Sequence, residues 1–206
     1  MARYWTWKTL PSEGSLIDAA KSQQGTVTLE KRDLEVIDEE ITRLNKTLQA
    51  FLDYARPPKL VKTAVDLNEL AGKTEKLLIA QAQQRSIQMK LELTKQPIVL
   101  QADPEQLRQV LLNLMLNAFD AVGTHGTVVL QTESAPQAAI LRVKDTGPGI
   151  SDALRSKLFE PFVSSKAAGT GLGLTICKRI VEEHGGMIAA ENLPGGGACF
   201  TVTLPI

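Results

Sequence analysis

Gln109-Val-Leu-Leu-Asn-Leu-Met-Leu-Asn-Ala-Phe-Asp-Ala121 is the stretch on which the reading of this chain turns. Leu107, Val110, Leu111, Leu114 and Ala118 recur at helical spacing, so a helix from about Pro104 to Ala121 is predicted to lay a broad apolar face on a core. At 100° per residue, Gln106, Gln109, Asn113, Asn117 and Asp120 fall in a stripe roughly 80° wide. Such a stripe is compatible with a solvent face. Solvated stripes are usually built from Lys and Glu, however, whereas asparagine is disfavoured inside helices because its amide competes with the backbone. An amide oxygen is a neutral hard ligand for Mg²⁺ and an amide nitrogen donates to phosphate, so two Asn one turn apart suit a metal–triphosphate. Nucleotide is therefore the ligand to look for.

Outward from this helix, Asp103 before Pro104 reads as an N-cap followed by proline at the first helical position. A helix is predicted around 67–84 and another from about Gly171 to His184. Strands are predicted near 87–93, 98–101, 127–132, 139–144, 187–191 and 198–204. Helices and antiparallel-type strands segregate rather than alternate, which favours an α+β sandwich of one sheet covered on one face by helices. Upstream, Leu34, Ile37, Ile41, Leu44, Leu48, Phe51 and Ala55 are spaced 3, 4, 3, 4, 3, 4, a heptad seam that calls for partner helices in a four-helix bundle. Arg56-Pro57-Pro58-Lys59 ends that helix, and a domain boundary is placed there. Ala2–Leu10 reads as the end of another helix, with Tyr4, Trp5 and Trp7 as packing residues.

The 206 residues hold 23 basic and 23 acidic side chains. With no net charge and no basic run, no field recruits nucleic acid or a membrane surface, and an anionic ligand must be held locally. Cys177 and Cys199 lack zinc-site spacing and read as reduced core thiols. No apolar run reaches the roughly 20 residues of a membrane span and no signal pattern opens the chain, so the piece reads as cytoplasmic, with a membrane anchor elsewhere in a longer protein left open.

Two glycine loops complete the pattern. Gly169-Thr170-Gly171-Leu172-Gly173 precedes a helix, so its backbone N–H groups and the positive helix end are available to phosphate oxygens. Asp145-Thr-Gly147-Pro-Gly149 follows a strand, where the carboxylate can accept from an exocyclic amine such as that of adenine and the glycines admit a base close to the backbone. Between them, Phe159-Glu-Pro-Phe162 reads as the hydrophobic anchor of a hinged segment that carries Lys166 towards the phosphates.

In this order, Asn113-x-x-x-Asn117, Asp145-x-Gly-x-Gly149, Phe159-x-x-Phe162 and Gly169-x-Gly-x-Gly173 resemble the N, G1, F and G2 boxes of the sensor histidine kinase ATP-binding domain. The resemblance spans about residues 65–206. It implies a Bergerat-type (GHKL) α/β sandwich of a mixed sheet with helices on one face, binding ATP and Mg²⁺, preceded by a helical hairpin fragment. Carried over, Asn117 coordinates Mg²⁺, Asn113 supports the metal–phosphate site, Asp145 reads the adenine amine, and Lys166 contacts phosphate. Gly147 and Gly149 shape the first loop, Gly169, Thr170, Gly171, Leu172 and Gly173 the second, and Thr201 approaches the adenine through water. Residues 1–58 then correspond to a truncated dimerisation and phosphotransfer region and residues 63–206 to the catalytic domain, with a homodimer through the heptad helix and a response regulator receiver domain as expected partners.

Relatives that hydrolyse ATP on this fold, such as gyrase, and the anti-sigma serine kinases place a glutamate where Asn113 stands. An amide cannot serve as general base, so Asn113 argues for transfer to a nucleophile that needs none, such as neutral imidazole. His125 and His184 read instead as a loop residue and a helix-end residue, where a cation is favoured. Neither lies in the family's acceptor motif, which the resemblance places two or three turns before Met1. The expectation is a kinase core that phosphorylates a histidine outside this chain and cannot autophosphorylate. The alternatives are an ATPase or serine kinase on the same fold, or a nucleotide-regulated dimerisation module without catalysis.

Overall fold

The computed structural model describes residues 31–55, 59–164, 166 and 169–206. The expectations for Ala2–Leu10, for the three aromatic residues at the N-terminus and for the proline break at 57–58 lie outside these residues. The chain divides into two compact units, Met1–Lys46 and Thr47–Ile206. Helix α1 (Lys31–Ala55) contributes to both. Its seam side chains Leu34, Ile37, Ile41, Leu44, Leu48 and Phe51 are all exposed. No helix among the described residues is long and apolar enough to cross a membrane.

The second unit is built on a five-stranded mixed sheet in the order β2 (Gln88–Glu92), β4 (Thr127–Ala135), β5 (Ala138–Asp145), β7 (Ala198–Pro205), β6 (Met187–Asn192). Only β2 and β4 run parallel. Alternation of burial along β4 and β5 shows why this sheet has two faces. Val128, Leu130, Ala139, Leu141 and Val143 point to the core, and Val143 lies opposite Phe200 and Leu141 opposite Val202 in register. Helices α2 (Leu67–Gln84), α3 (Pro104–Val122) and α5 (Gly173–Glu183) cover that one face.

Among the described residues the predicted helices and six predicted strands stand where periodicity placed them, within one or two residues at most ends, although the strand expected near 98–101 (β3, Val99–Ala102) lies outside the five-stranded sheet. Two short elements were not foreseen. Strand β1 (Thr63–Asp66) pairs antiparallel with β3 (Val99–Ala102) as a separate two-stranded sheet, and α4 (Asp152–Arg155) is a single turn. Each helix that bears on the site starts from an aspartate or an open end. Asp66 caps α2 through Asn68 N–H, and Asp103 caps α3 through Glu105 and Gln106 N–H with Pro104 behind it. Each such cap stabilises its helix by about 1 kcal/mol. No side chain caps the N-terminus of α5.

Candidate nucleotide site

The polar stripe of α3 is only partly open to solvent, from exposed Asp120 at its end to buried Gln106 at its start. Gln106 is buried, and Asn113 and Asn117 are half-buried, because α5 packs along this side of α3. Asn113 Nδ2 lies 3.5 Å from Gly173 O, and a Cβ on Gly173 would come 3.9 Å from Asn113 Cγ. The amide thus stands at the opening turn of α5. Cys177, one turn into α5, lies fully buried against Val110 O, and burial pushes its thiol up to about 12. A groove of about 500 Å³ runs along α3 between Glu105 and Leu116, lined in part by Gln106, Gln109 and Asn113 of the polar stripe.

The second wall is the end of β5. Asp145 is 3% exposed, and its Oδ1 accepts from Gly147 N–H at 2.8 Å and Ala198 N–H at 3.3 Å. Among the described residues no hydrogen bond reaches Oδ2, which remains available to a ligand amine. Burial pushes this carboxyl above the ordinary aspartate range, partly offset by the two backbone donors. The loop around it tolerates no larger residues. A Cβ on Gly147 would meet Ala121 backbone at 2.9 Å, and one on Gly197, whose φ is +87°, would meet Asp145 O at 1.9 Å. Asn192 fastens the loop from β6, its Oδ1 accepting from Ile150 N–H at 2.6 Å and its Nδ2 donating to Ile150 O at 2.9 Å. Asn192 and Gly197 were missed in the sequence, because their partners lie 42 and about 50 residues away and neither sits in a recognisable motif.

Between the walls runs the segment from Phe159 to Gly171. Phe162 does not anchor it. The ring is 63% exposed and the backbone takes φ +63°, held by Phe162 N–H donating to Gly171 O at 3.0 Å. Gly171 is itself left-handed, and a Cβ there would lie 2.5 Å from Phe162 C, so the two residues lock face to face through bare backbone. A left-handed bulky residue costs roughly 1–2 kcal/mol and marks functional strain more often than accident. Leu158 packs against the core in its stead, while Phe159 is half-buried. Lys166 reaches back across this segment, its Nζ lying 2.9 Å from Asn117 Oδ1 and 2.8 Å from Asp120 Oδ2.

Two expectations need correction. Thr201 stands opposite Arg142 in register, and Arg142 and Asp145 point to opposite faces of β5, so Thr201 lies on the far side of the sheet from the Asp145 carboxylate. His184 is the C-cap of α5, as its helix-end reading required, but it does not face solvent there: it is 3% exposed, Nε2 accepts from Asp103 N–H at 2.9 Å, and Nδ1 stands 2.7 Å from Ile180 O. An N–H aimed at Nε2 requires the neutral tautomer with the proton on Nδ1. His125 is exposed in the turn after α3.

The donor set fits a magnesium–nucleotide. Two amide oxygens one turn apart, an uncapped helix start beside them, and a carboxylate oxygen framed by glycines that a Cβ would fill are what such a group requires. Comparison with known proteins agrees. Residues 102–206 match the family described as histidine kinase-, DNA gyrase B-, and HSP90-like ATPase. The chain is 39% identical over 173 residues to the sensor histidine kinase ZraS of Salmonella typhi, covering 84% of this chain and 37% of that protein, so it spans little more than a third of the relative's length. Among solved structures, the histidine kinase ThkA in complex with the response regulator protein TrrA superposes with TM-score 0.76 at 30% identity, over 93% of this chain and 56% of that one. Full-length ShkA in complex with AMPPNP gives TM-score 0.75 at 28% identity, over 88% and 40%.

Proposed function

The chain belongs to the family of histidine kinase-, DNA gyrase B- and HSP90-like ATPases, as the catalytic domain of a sensor histidine kinase, and from that premise we propose that it binds ATP with Mg²⁺ and passes the γ-phosphoryl to a histidine that is neither His125 nor His184. When bound, Mg–ATP supplies the phosphoryl group and the metal charge that neutralises it. Everything else falls to the chain's own side chains. Asp145 Oδ2 accepts from the base while Gly147, Gly149 and Gly197 leave room for it beside the backbone. Asn117 Oδ1 is the metal ligand, Asn113 supports the metal–phosphate site from α5's opening turn, and the loop from Gly169 to Gly173, with Thr170 and Leu172 between the glycines, receives phosphate oxygens on its backbone N–H groups, those of Gly169 and Leu172 first leaving Lys166 O and Thr170 Oγ1. Lys166 adds a cation beside Asn117.

The observation that carries this reading is the pairing of Asn113 with the uncapped start of α5. It sets amides, and no carboxylate, where a base for water would have to stand. In support, both ring nitrogens of His184 are already engaged within the fold. A neutral histidine on a helical hairpin, such as the dimerisation region to which α1 would belong, needs no base from this domain. The same reading gives a dimer through the α1 seam and a response regulator as the protein that receives the phosphoryl group.

The test mixes the chain with labelled ATP, Mg²⁺ and a separate helical hairpin bearing an acceptor histidine. Acid-labile, base-stable label on the hairpin is expected, with Asn117→Asp abolishing it in a folded protein. Steady phosphate release without labelling, or label as phosphoserine, would overturn transfer to histidine. Failure of folded protein to bind nucleotide at millimolar concentration would sink the whole reading.

A further inference from the structure

Asp120 stands where a carboxylate should be unwelcome. It lies in the last turn of α3, next to the negative end of the helix dipole and one turn from a proposed metal and triphosphate. A residue that breaks a local rule usually has a compensating partner, and here there are two. Arg85, the C-cap of α2, places Nη1 2.8 Å from Asp120 Oδ1, and Lys166 Nζ lies 2.8 Å from Oδ2. Burial alone would raise this carboxyl, but the hydrogen bonds from Lys166 and Arg85 hold it below the ordinary aspartate range. Each carboxylate oxygen therefore has one cation, and the cluster as a whole carries one net positive charge towards the phosphate side.

Lys166 is equally specific in its presentation. Ser164 Oγ accepts from Lys166 N–H at 3.0 Å and lies 3.3 Å from Lys166 O, fixing the backbone at the point where the side chain leaves. A Cβ on Gly169 would come 2.4 Å from that same Oγ, so the turn is closed by a residue that must be small. From there the ammonium reaches Asp120 and, at 2.9 Å, the same Asn117 oxygen assigned to the metal. An ammonium and a dication on one amide oxygen repel strongly, so both cannot use it without phosphate between them.

We propose that Asp120 is a positioning residue for Lys166: it keeps the ammonium on the metal-binding side of α3, so that when Mg²⁺ takes Asn117 Oδ1 the lysine remains tethered beside the site and turns to the phosphates. This rests on the nucleotide reading given above. Arg85, on the other carboxylate oxygen, keeps Asp120 aimed at Lys166.

A double-mutant cycle on the full chain tests this, with Mg–AMPPNP affinity and thermal unfolding as readouts. Asp120→Asn should weaken nucleotide binding about tenfold in the wild-type background and less than twofold in Lys166→Met, with Asp120→Glu restoring affinity to within about threefold. Equal loss in both backgrounds would overturn the proposal, and a loss in both that vanishes without Mg²⁺ would make Asp120 a metal ligand instead. Loss that follows a lowered melting temperature, unrescued by glutamate, would reduce Asp120 to a structural role and overturn it too. If the unmutated chain binds no nucleotide, the nucleotide reading itself fails and this inference falls with it; if it binds and the cycle is additive, only this inference fails.

Discussion

Replacing Asp145 by asparagine separates ligand recognition from folding at a single atom. Asparagine retains an oxygen where Oδ1 accepts from Gly147 and Ala198 N–H, so the loop and the start of β7 keep their anchor. What changes is Oδ2, which becomes an NH₂ donor facing the donor amine of the base. Loss of a hydrogen bond to a charged group costs about 1.5–3 kcal/mol. At 1.4 kcal/mol per factor of ten, nucleotide affinity should fall between about tenfold and about 150-fold. The stability effect has the opposite sign. Because burial raises the Asp145 pKa, the folded state holds that proton more tightly than the unfolded chain. The group therefore favours folding at low pH, and that contribution is lost as pH rises through the raised value, leaving an ionised carboxylate that is a net cost at pH 7. Asp145→Asn should melt at or above the wild-type temperature at pH 7, whereas Asp145→Ala, which orphans two backbone donors, should melt lower. Displacement of a fluorescent nucleotide and a thermal melt read both effects. An Asn variant that is fully folded and binds nucleotide within threefold of wild type would refute Asp145 as the base reader, and one that unfolds would refute the Oδ1 anchor.

Four further outcomes are expected. Gly197→Ala, with a Cβ 1.9 Å from Asp145 O at a left-handed backbone, should cost about 3 kcal/mol and lower the melting temperature by roughly 6–12 °C; a melt unchanged within 2 °C would contradict the close approach. Asp103 is pushed up by burial but held below the ordinary range by Val61, Gln106 and Glu105 N–H, so its contribution is present above about pH 4 and lost as pH falls below that. The stability gap between wild type and Asp103→Ala in urea should accordingly narrow between pH 6 and pH 3. His184→Leu leaves Asp103 N–H without its acceptor and should cost about 1–3 kcal/mol by the same urea titration. Neither Cys177 nor Cys199 should react with a thiol reagent at pH 8 until the protein is unfolded, since both are buried and the Cys177 thiol is raised to about 12.

Long elements with a periodic apolar face were legible in the sequence, because α2, α3, α5 and the sheet strands each repeat a burial pattern several times. Strand β1 was not, since in four residues only Val65 is buried and no period can be counted. Within the site, Asn113, Asn117, Asp145 and the two glycine loops carried their own local signal. Partnerships across the fold did not. Asn192 clasping Ile150, Gly197 pressed on Asp145 O, and Lys166 paired with Asp120 join segments 42 to 52 residues apart, and nothing in the intervening sequence announces the pairing. Phe162 misled for a different reason: an aromatic after proline reads as an anchor, but the left-handed backbone that pairs it with Gly171 turns the ring outward.

Strand β7 is the last element of the chain, yet it lies between β5 and β6 in the sheet. A chain emerging from the ribosome would thus present β5 and β6 with a gap between them, and Asp145 without the Ala198 N–H that holds its carboxylate. The corner around Asp145 is complete only when β7 has slotted in between them.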